Sequence, residues 1–152
     1  MKLHKTIATV FGIGYISKGS GTVAAFALCV LVYIANELNV YSNVLSCVFS
    51  VIVFAAGVHA ANEVEIIWGK DSKKVVIDEV FGMMITLLFL PINFTTLIGG
   101  FILFRFFDIA KPLYIRKMEN YKGGWGVMMD DFLAGVYANI LLQVIIRIQE
   151  VI

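Results

Sequence analysis

The sequence predicts an all-α integral membrane protein, a single domain over residues 1–152 built as a small bundle of about four to five membrane helices. Apolar residues make up 60% of the chain and charged residues only 15%, and the mean hydropathy is +0.88, well above ordinary soluble usage. The apolar residues gather into runs of membrane-spanning length. The charged residues gather in short segments between those runs.

The first two predicted helices form a hairpin. Residues 22–38 and 44–61 are apolar runs of 17 and 18 residues, joined by a short polar stretch. Each is about long enough to cross a hydrocarbon core of ~30 Å. The segment before residue 22 has the lysines of a secretory signal peptide, but four glycines interrupt its apolar core. We therefore expect it to belong to the folded protein.

The third apolar run, residues 80–107, is broken near its middle by Pro91. Proline fixes its own φ and disfavours helix at the residue before it, so the run is either one kinked span or two short helices that turn at "LPINF". A single span would place the charged segments 62–79 and 108–131 on opposite sides of the bilayer. A hairpin would place them on the same side.

The basic residues favour the hairpin through the positive-inside rule. With a hairpin, eleven of the twelve Lys and Arg residues face the cytoplasm, and Arg147 is the exception. Each arm would have 12 to 15 residues, a length of roughly 18 to 22 Å that is short for a full crossing. The last predicted helix, residues 132–146, starts directly after Asp130 and Asp131.

Composition excludes several other classes of protein. The net charge of +1 lacks the excess of Lys and Arg that a nucleic-acid surface needs. Cys29 and Cys47 lie in apolar runs without a CxxC or Cys/His grouping, so neither a disulfide framework nor a structural zinc site is expected.

Nine of the eleven acidic residues share the predicted cytoplasmic face with the bases. Acidic residues do little for orientation in the membrane, so this crowding indicates another role. The pairs Asp78-Glu79 and Asp130-Asp131 each precede a predicted helix, and Asp108 lies on the same face. Adjacent carboxylates at a membrane surface are costly unless a cation binds between them, and oxygen ligands favour Mg²⁺ or a similar ion. The alternative for either pair is an N-terminal helix cap.

Candidate phosphate-binding groups lie in the same segments. Lys111 is either a phosphate contact or an interfacial anchor, and Arg105 is spaced three residues from Asp108, which also suits a local ion pair. The segment "GIGYISKGSGT" is either a Gly-rich loop that presents Ser20, Thr22 and backbone N–H groups to a phosphate, or a site of close helix packing.

Two further features leave alternatives open. His59, four residues before Glu63, is either a ligand or general base, or a histidine that only caps or hydrogen-bonds. The segment "KGGWG", residues 122–126, is flexible backbone that suits either a mobile substrate loop or a membrane-anchored turn.

Three regions resemble the signature regions of the phosphatidylglycerophosphatase A family. They read "GIGYISKGSGT" (12–22), "GKDSKKVVIDEVFG" (69–82) and "FRFFDIAKPLYIRKMENYKGGWGVMMDDFLAG" (104–135). The last is the most specific, and the resemblance covers nearly the whole chain. It implies an Mg²⁺-dependent, multi-pass lipid phosphatase of the bacterial inner membrane with its active site facing the cytoplasm. Such an enzyme removes the terminal phosphate of phosphatidylglycerophosphate and leaves phosphatidylglycerol.

The resemblance also implies roles for particular residues. The expected metal ligands are Asp78, Glu79, Asp108, Asp130 and Asp131, and the four aspartates among them are the expected catalytic residues. It also implies Arg105 and Lys111 as phosphate-binding residues, to which the charge of Lys70 and the hydroxyls of Ser20 and Thr22 in the Gly-rich loop add further candidates. The nucleophile is either a water molecule or one of the aspartates, and the sequence does not choose between them. The motifs of the common covalent cysteine, aspartyl and histidine phosphatases are missing from the sequence. Departures such as Ser72, Tyr114 and Glu119 bear on loop geometry and head-group preference.

Two other functions are compatible with part of the pattern. A lipid phosphotransferase would also gather Mg²⁺ carboxylates at the membrane face, but its Asp-Gly-x-x-Ala-Arg type of signature is missing from the sequence. A small transporter or lipid-binding protein would spread its carboxylates through helix interiors, whereas here they are predicted at helix ends on one side. The sequence does not indicate an oligomeric state.

Overall fold

A computed structural model of the chain describes residues 2–70 and 72–151. This part of the chain contains helices and no strand, which confirms the all-α class. One 3₁₀ turn, Ile13–Tyr15, precedes the second helix. The α-helices are α1 (Lys2–Ala8), α2 (Ser20–Glu37), α3 (Asn43–Trp68), α4 (Ile77–Leu87), α5 (Phe94–Ala110), α6 (Ile115–Met118) and α7 (Gly124–Val151).

Three helices are long and apolar enough to cross a membrane, namely Ser20–Glu37, Asn43–Trp68 and the stretch Gly124–Gln149 of α7. The sequence predicts four to five. The difference lies in α4 and α5, which have 11 and 17 residues. Because a helix rises 1.5 Å per residue, α4 is only about 16 Å long and cannot cross a hydrocarbon core by itself.

The break at Pro91 separates two helices rather than kinking one. The side chain of Asn93 caps α5 by accepting a hydrogen bond from the Thr96 backbone N–H at 2.9 Å. The Asn139 side chain of α7 donates to the carbonyls of Thr86 and Leu88, each at 2.9 Å, at the end of α4. These polar contacts satisfy the backbone groups that the break leaves open. Helices α4 and α5 therefore form a hairpin, as the distribution of charge predicts.

Helices α4 and α7 touch through their backbones. A Cβ added at Gly82 would lie 2.8 Å from the carbonyl oxygen of Asp131, and one added at Gly135 would collide with the carbonyl of Gly82. Small residues allow this close approach. Since Gly82 meets Asp131 and the end of α4 meets Asn139, the two helices run parallel, and the first turn of α4 lies level with Asp131.

The last helix begins earlier than the sequence predicts. It starts at Gly124 rather than at residue 132, so Asp130 and Asp131 lie inside the helix and not before it. The backbone N–H of Gly124 donates to Asn62 Oδ1 at 2.8 Å, and a Cβ at Gly124 would collide with the carbonyl of Val58. This tight contact with α3 extends the helix toward its N-terminus. The segment 122–126 therefore includes a packed junction between α3 and α7.

Two apolar cores lie on either side of α4. One includes Met83, Leu87 and Phe104, from α4 and α5, and the other includes Phe81 and Met128, from α4 and α7. An 11-residue helix with so much of its surface covered by neighbours holds its first turn in a defined position.

Candidate active site

Three carboxylates meet where α4 begins. Asp78 and Glu79 lie in the first turn of α4, and Asp131 comes from α7. One oxygen from each of the three side chains lies within 4.8 Å of the other two. The parallel contact between α4 and α7 brings them together, since Gly82 sets the height of α4 against Asp131. We call these three residues the carboxylate cluster.

The cluster is buried at Asp131 and half-buried at Asp78 and Glu79, and it is short of hydrogen-bond partners. Asp131 is only 3% exposed, and among the described residues neither its Oδ2 nor the Oε2 of Glu79 has a partner. Burial raises the pKa of Asp78 and of Glu79, and the charge of Asp78 adds to the effect on Glu79. Buried carboxylates without compensating charge are strongly destabilising. The orphaned oxygens and the spacing of the cluster fit a divalent cation with oxygen ligands.

Two other predicted metal ligands are already paired with cations. Asp108 accepts from Arg105 at 2.5 Å, and Asp130 accepts from Lys111 at 2.6 Å. Lys111 also reaches Glu119 at 2.7 Å. Burial lowers the pKa of Lys111, but its hydrogen bonds to the two carboxylates outweigh that effect and the pKa is raised. We call Asp108 and Asp130, each of which has a cationic partner, the paired carboxylates.

The structure thus divides the five predicted metal ligands. Asp78, Glu79 and Asp131 form the cluster, whereas Asp108 and Asp130 belong to the ion pairs beside it. Neither acidic pair occupies an N-cap position, since Val76 is the N-cap of α4, but Asp78 and Glu79 lie in its first turn, where acids favour the helix dipole. Asp130 and Asp131 lie inside α7.

The N-terminus of α2 lies against the cluster. A Cβ at Gly21 would collide with Oε1 of Glu79, so a larger residue there would displace the Glu79 side chain. The Ser20 hydroxyl donates to the carbonyl of Lys73 at 3.1 Å, which ties α2 to the loop before α4, and Thr22 is exposed. The Gly-rich segment therefore serves close packing, while its helix terminus also lies beside a carboxylate.

Lys70 lies at a separate polar cavity of about 240 Å³ that also reaches Asp130. Glu65, Glu119 and Tyr121 line the same cavity. Sequence reasoning missed Glu65 and the partnership of Glu119 with Lys111. Only Glu119 had a signal, as a departure from the residue usual in the family.

His59 is exposed and does not belong to the carboxylate cluster. Its ring stands edge-on to that of His4, with 5.1 Å between the ring centroids. This position agrees with the simpler interpretation, in which His59 is neither a ligand nor a general base.

The fold and the site together define a class of protein: an all-α protein with helices apolar enough to cross a membrane and a buried carboxylate cluster flanked by two ion pairs. A model of the family described as phosphatidylglycerophosphatase A matches residues 6–146. The chain therefore belongs to the phosphatidylglycerophosphatase A family, which confirms the resemblance seen in the sequence.

Curated relatives extend this comparison. The chain is 44% identical over 143 residues to a Bacteroides thetaiotaomicron protein provisionally named phosphatidylinositol-3-phosphatase, covering 91% of this chain and 90% of that protein. It is 33% identical over 139 residues to phosphatidylglycerophosphatase A of Haemophilus influenzae, covering 90% and 84%. It is 43% identical over 77 residues to phosphatidylglycerophosphatase A of Escherichia coli, covering 49% and 45%. No solved structure matches the chain.

Proposed function

We propose that this chain is an Mg²⁺-dependent lipid phosphatase that hydrolyses the terminal phosphate monoester of phosphatidylglycerophosphate to phosphatidylglycerol and inorganic phosphate. Membership of the family supports a phosphatase that acts on a lipid. The observation that carries the proposal is the carboxylate cluster, whose buried oxygens lack compensating charge among the described residues.

The cluster would hold the metal through Asp78, Glu79 and Asp131. When bound, Mg²⁺ supplies positive charge that stabilises the charge developing on the phosphoryl oxygens during hydrolysis. Asp108 and Asp130 lie beside the cluster, where they orient the neighbouring cations. The nucleophile in this proposal is a water molecule or an aspartate.

Arg105 and Lys111 would hold the phosphate. The Nε–H of Arg105 is buried and has no partner among the described residues, although its Nη1 donates to Asp108. Arginine presents several donors in a fixed plane, so Arg105 can keep Asp108 and still donate to a phosphate oxygen. The Lys111 amine is paired with the carboxylates of Glu119 and Asp130. A phosphate would bind the amine in addition to these carboxylates or in place of one of them.

We place the protein in the bacterial inner membrane with the cluster facing the cytoplasm. The amines of Lys5 and Lys74 lie 5.7 and 5.3 Å from the centroid of the Trp68 ring. A tryptophan with two lysines is typical of a membrane interface, and lysine favours its cytoplasmic side. Cysteines introduced at the exposed positions Phe94 and Lys122 should be labelled from opposite sides of the membrane; labelling of both from one side would contradict this arrangement.

A second substrate is supported by one comparison. The relative at 44% identity is named for phosphatidylinositol 3-phosphate rather than phosphatidylglycerophosphate. Both lipids carry a phosphate monoester on a polyol head group, so the same cluster and cations would serve either one. The enzyme would then distinguish the two lipids by their head groups.

The test is phosphate release by the purified protein in mixed micelles, with each of the two lipids at equal mole fraction and with Mg²⁺ or EDTA. We expect rapid release from phosphatidylglycerophosphate with Mg²⁺ and none with EDTA. Preference for the inositol lipid would reassign the substrate. Release that is unchanged by EDTA would reject the metal, and no release from either lipid by folded protein would reject the phosphatase.

A further inference from the structure

An apolar groove of about 390 Å³ opens between α3, α4 and α7. Ser50, one of its few lining residues with a polar side chain, donates its hydroxyl to the carbonyl of Ser46 at 2.7 Å and so offers no free donor. The groove is therefore suited to hydrocarbon and not to a polar ligand.

The wall that α4 contributes begins at the carboxylate cluster. Phe81, Ile85 and Leu88 line the groove. Together with Asp78 they follow a spacing of three or four residues, which places all four on one face of the helix. The same face thus carries a cluster carboxylate at its start and three apolar side chains after it.

The other two walls come from helices long enough to span a membrane. Phe54 of α3 lies 5.1 Å from Phe81 and 5.3 Å from Trp125 of α7, measured between ring centroids. These rings form the end of the groove near the cluster. Val51 of α3 lines it farther along and is 66% exposed, so the groove opens sideways, toward the hydrocarbon that would surround α3.

We infer that this groove binds one acyl chain of the lipid substrate while the phosphate lies at the carboxylate cluster; the inference rests on the proposed function. The continuity from Asp78 to Leu88 supports a single ligand that is polar at one end and apolar at the other. A helix of a second copy is about 10 to 12 Å across and too thick to enter a groove of this volume. An acyl chain is narrow, flexible and wholly apolar.

The kinetic test uses two valines of α3 that are both exposed. Val51 lines the groove, whereas Val48, 52% exposed, does not. In Val51→Trp the indole fills the groove, so KM for the dioleoyl substrate in mixed micelles should rise by about tenfold with little change in kcat, because bound chain contacts are lost. The dihexanoyl substrate should be unaffected, and Val48→Trp should match the unaltered protein with both lipids.

A second measurement uses the unaltered protein and does not depend on the folding of a variant. A substrate lipid with a diazirine midway along one acyl chain is mixed with the protein in mixed micelles containing Mg²⁺ and is photolysed before turnover, and a phosphatidylcholine with the same chain serves as control. Cross-links from the substrate lipid should concentrate on residues 47–54 of α3 and 81–88 of α4. Those from phosphatidylcholine should spread over the lipid-facing surface.

The outcomes separate the groove from the proposed function. Equal kinetics for the two tryptophan variants, or the same cross-linking pattern for both lipids, would overturn the acyl-chain site while leaving phosphate release intact. Failure of the unaltered protein to release phosphate from either chain length would overturn the proposed function itself. Concentrated cross-links from both lipids would show a general lipid site and overturn its assignment to the substrate.

Discussion

Two sets of carboxylates lie side by side in this protein, and they differ in whether a cationic side chain is paired with them. Asp108 and Asp130 each have a cation within 2.6 Å, whereas Asp131 and Glu79 each have a buried oxygen without a hydrogen-bond partner among the described residues. Both sets lie at the same end of the helix bundle, so burial alone does not explain the difference. The paired carboxylates are stable as they stand, while the cluster lowers stability unless a cation joins it. The contrast supports the proposed role of the cluster in binding a cation.

The largest effect should come from removing a cluster carboxylate. Asp131→Asn takes away a proposed metal ligand and should lower phosphate release by about a thousandfold, since stabilisation of the phosphoryl charge is lost. In EDTA the same variant should unfold at a higher temperature than the unaltered protein, because a buried uncompensated charge is gone.

Glu37→Gln is the control, since Glu37 is an exposed carboxylate at the end of α2. Its activity and its melting temperature in detergent should both stay unchanged. Full activity in Asp131→Asn would remove Asp131 from the site.

Breaking a paired carboxylate should have the opposite effect on stability. Lys111→Met leaves Asp130, whose side chain is 9% exposed, without its cation. The free energy of unfolding should fall by about 3 kcal/mol, because the remaining charge is buried and uncompensated. The double variant with Asp130→Asn should recover part of that loss, as measured by denaturant unfolding in detergent. Equal stability of all three proteins would show that the pair contributes nothing.

A smaller effect on activity is expected from a change in α2 where it packs against the cluster. Gly21→Ala places a methyl group against the Glu79 carboxylate, although alanine favours a helix more than glycine does. The Mg²⁺ concentration for half-maximal activity should rise by about tenfold, as is typical when a group that orients a metal ligand is disturbed. Val23→Ala, at an exposed position of the same helix turn, should leave it unchanged. Unchanged Mg²⁺ dependence in Gly21→Ala would separate α2 from the site.

The smallest effect is a pH dependence of stability without metal. Burial raises the pKa of Asp78 and Glu79 above the ordinary values of 3.8 and 4.5. The folded protein therefore binds protons more tightly than the unfolded chain, and stability falls as the pH rises through the folded pKa values. In EDTA the melting temperature should decrease by a few degrees between about pH 5 and about pH 8. Saturating Mg²⁺ should reverse the slope, and a melting temperature independent of pH in EDTA would argue against uncompensated carboxylates.

Sequence reasoning succeeded where local pattern and physics agree. Pro91 and the positive-inside rule together predicted the α4–α5 hairpin, which the capping by Asn93 bears out. It failed at the start of α7, because acidic residues usually mark a helix beginning, and here the contact of Gly124 with α3 extends the helix beyond them. Tertiary packing overrode the local preference.

The sequence by itself determined the apolar helical class, the family and the set of charged residues from which the site is built. The tertiary structure decided which of those charges meet. Lys111 and Asp130 are 19 residues apart, and Asp131 reaches Asp78 only because Gly82 and Gly135 let α4 and α7 touch. Spacing along a chain specifies neighbours within one helix, whereas partners on different helices depend on the height and rotation of each helix against the next. That is why the carboxylate cluster and the groove beneath it became visible only in the folded protein.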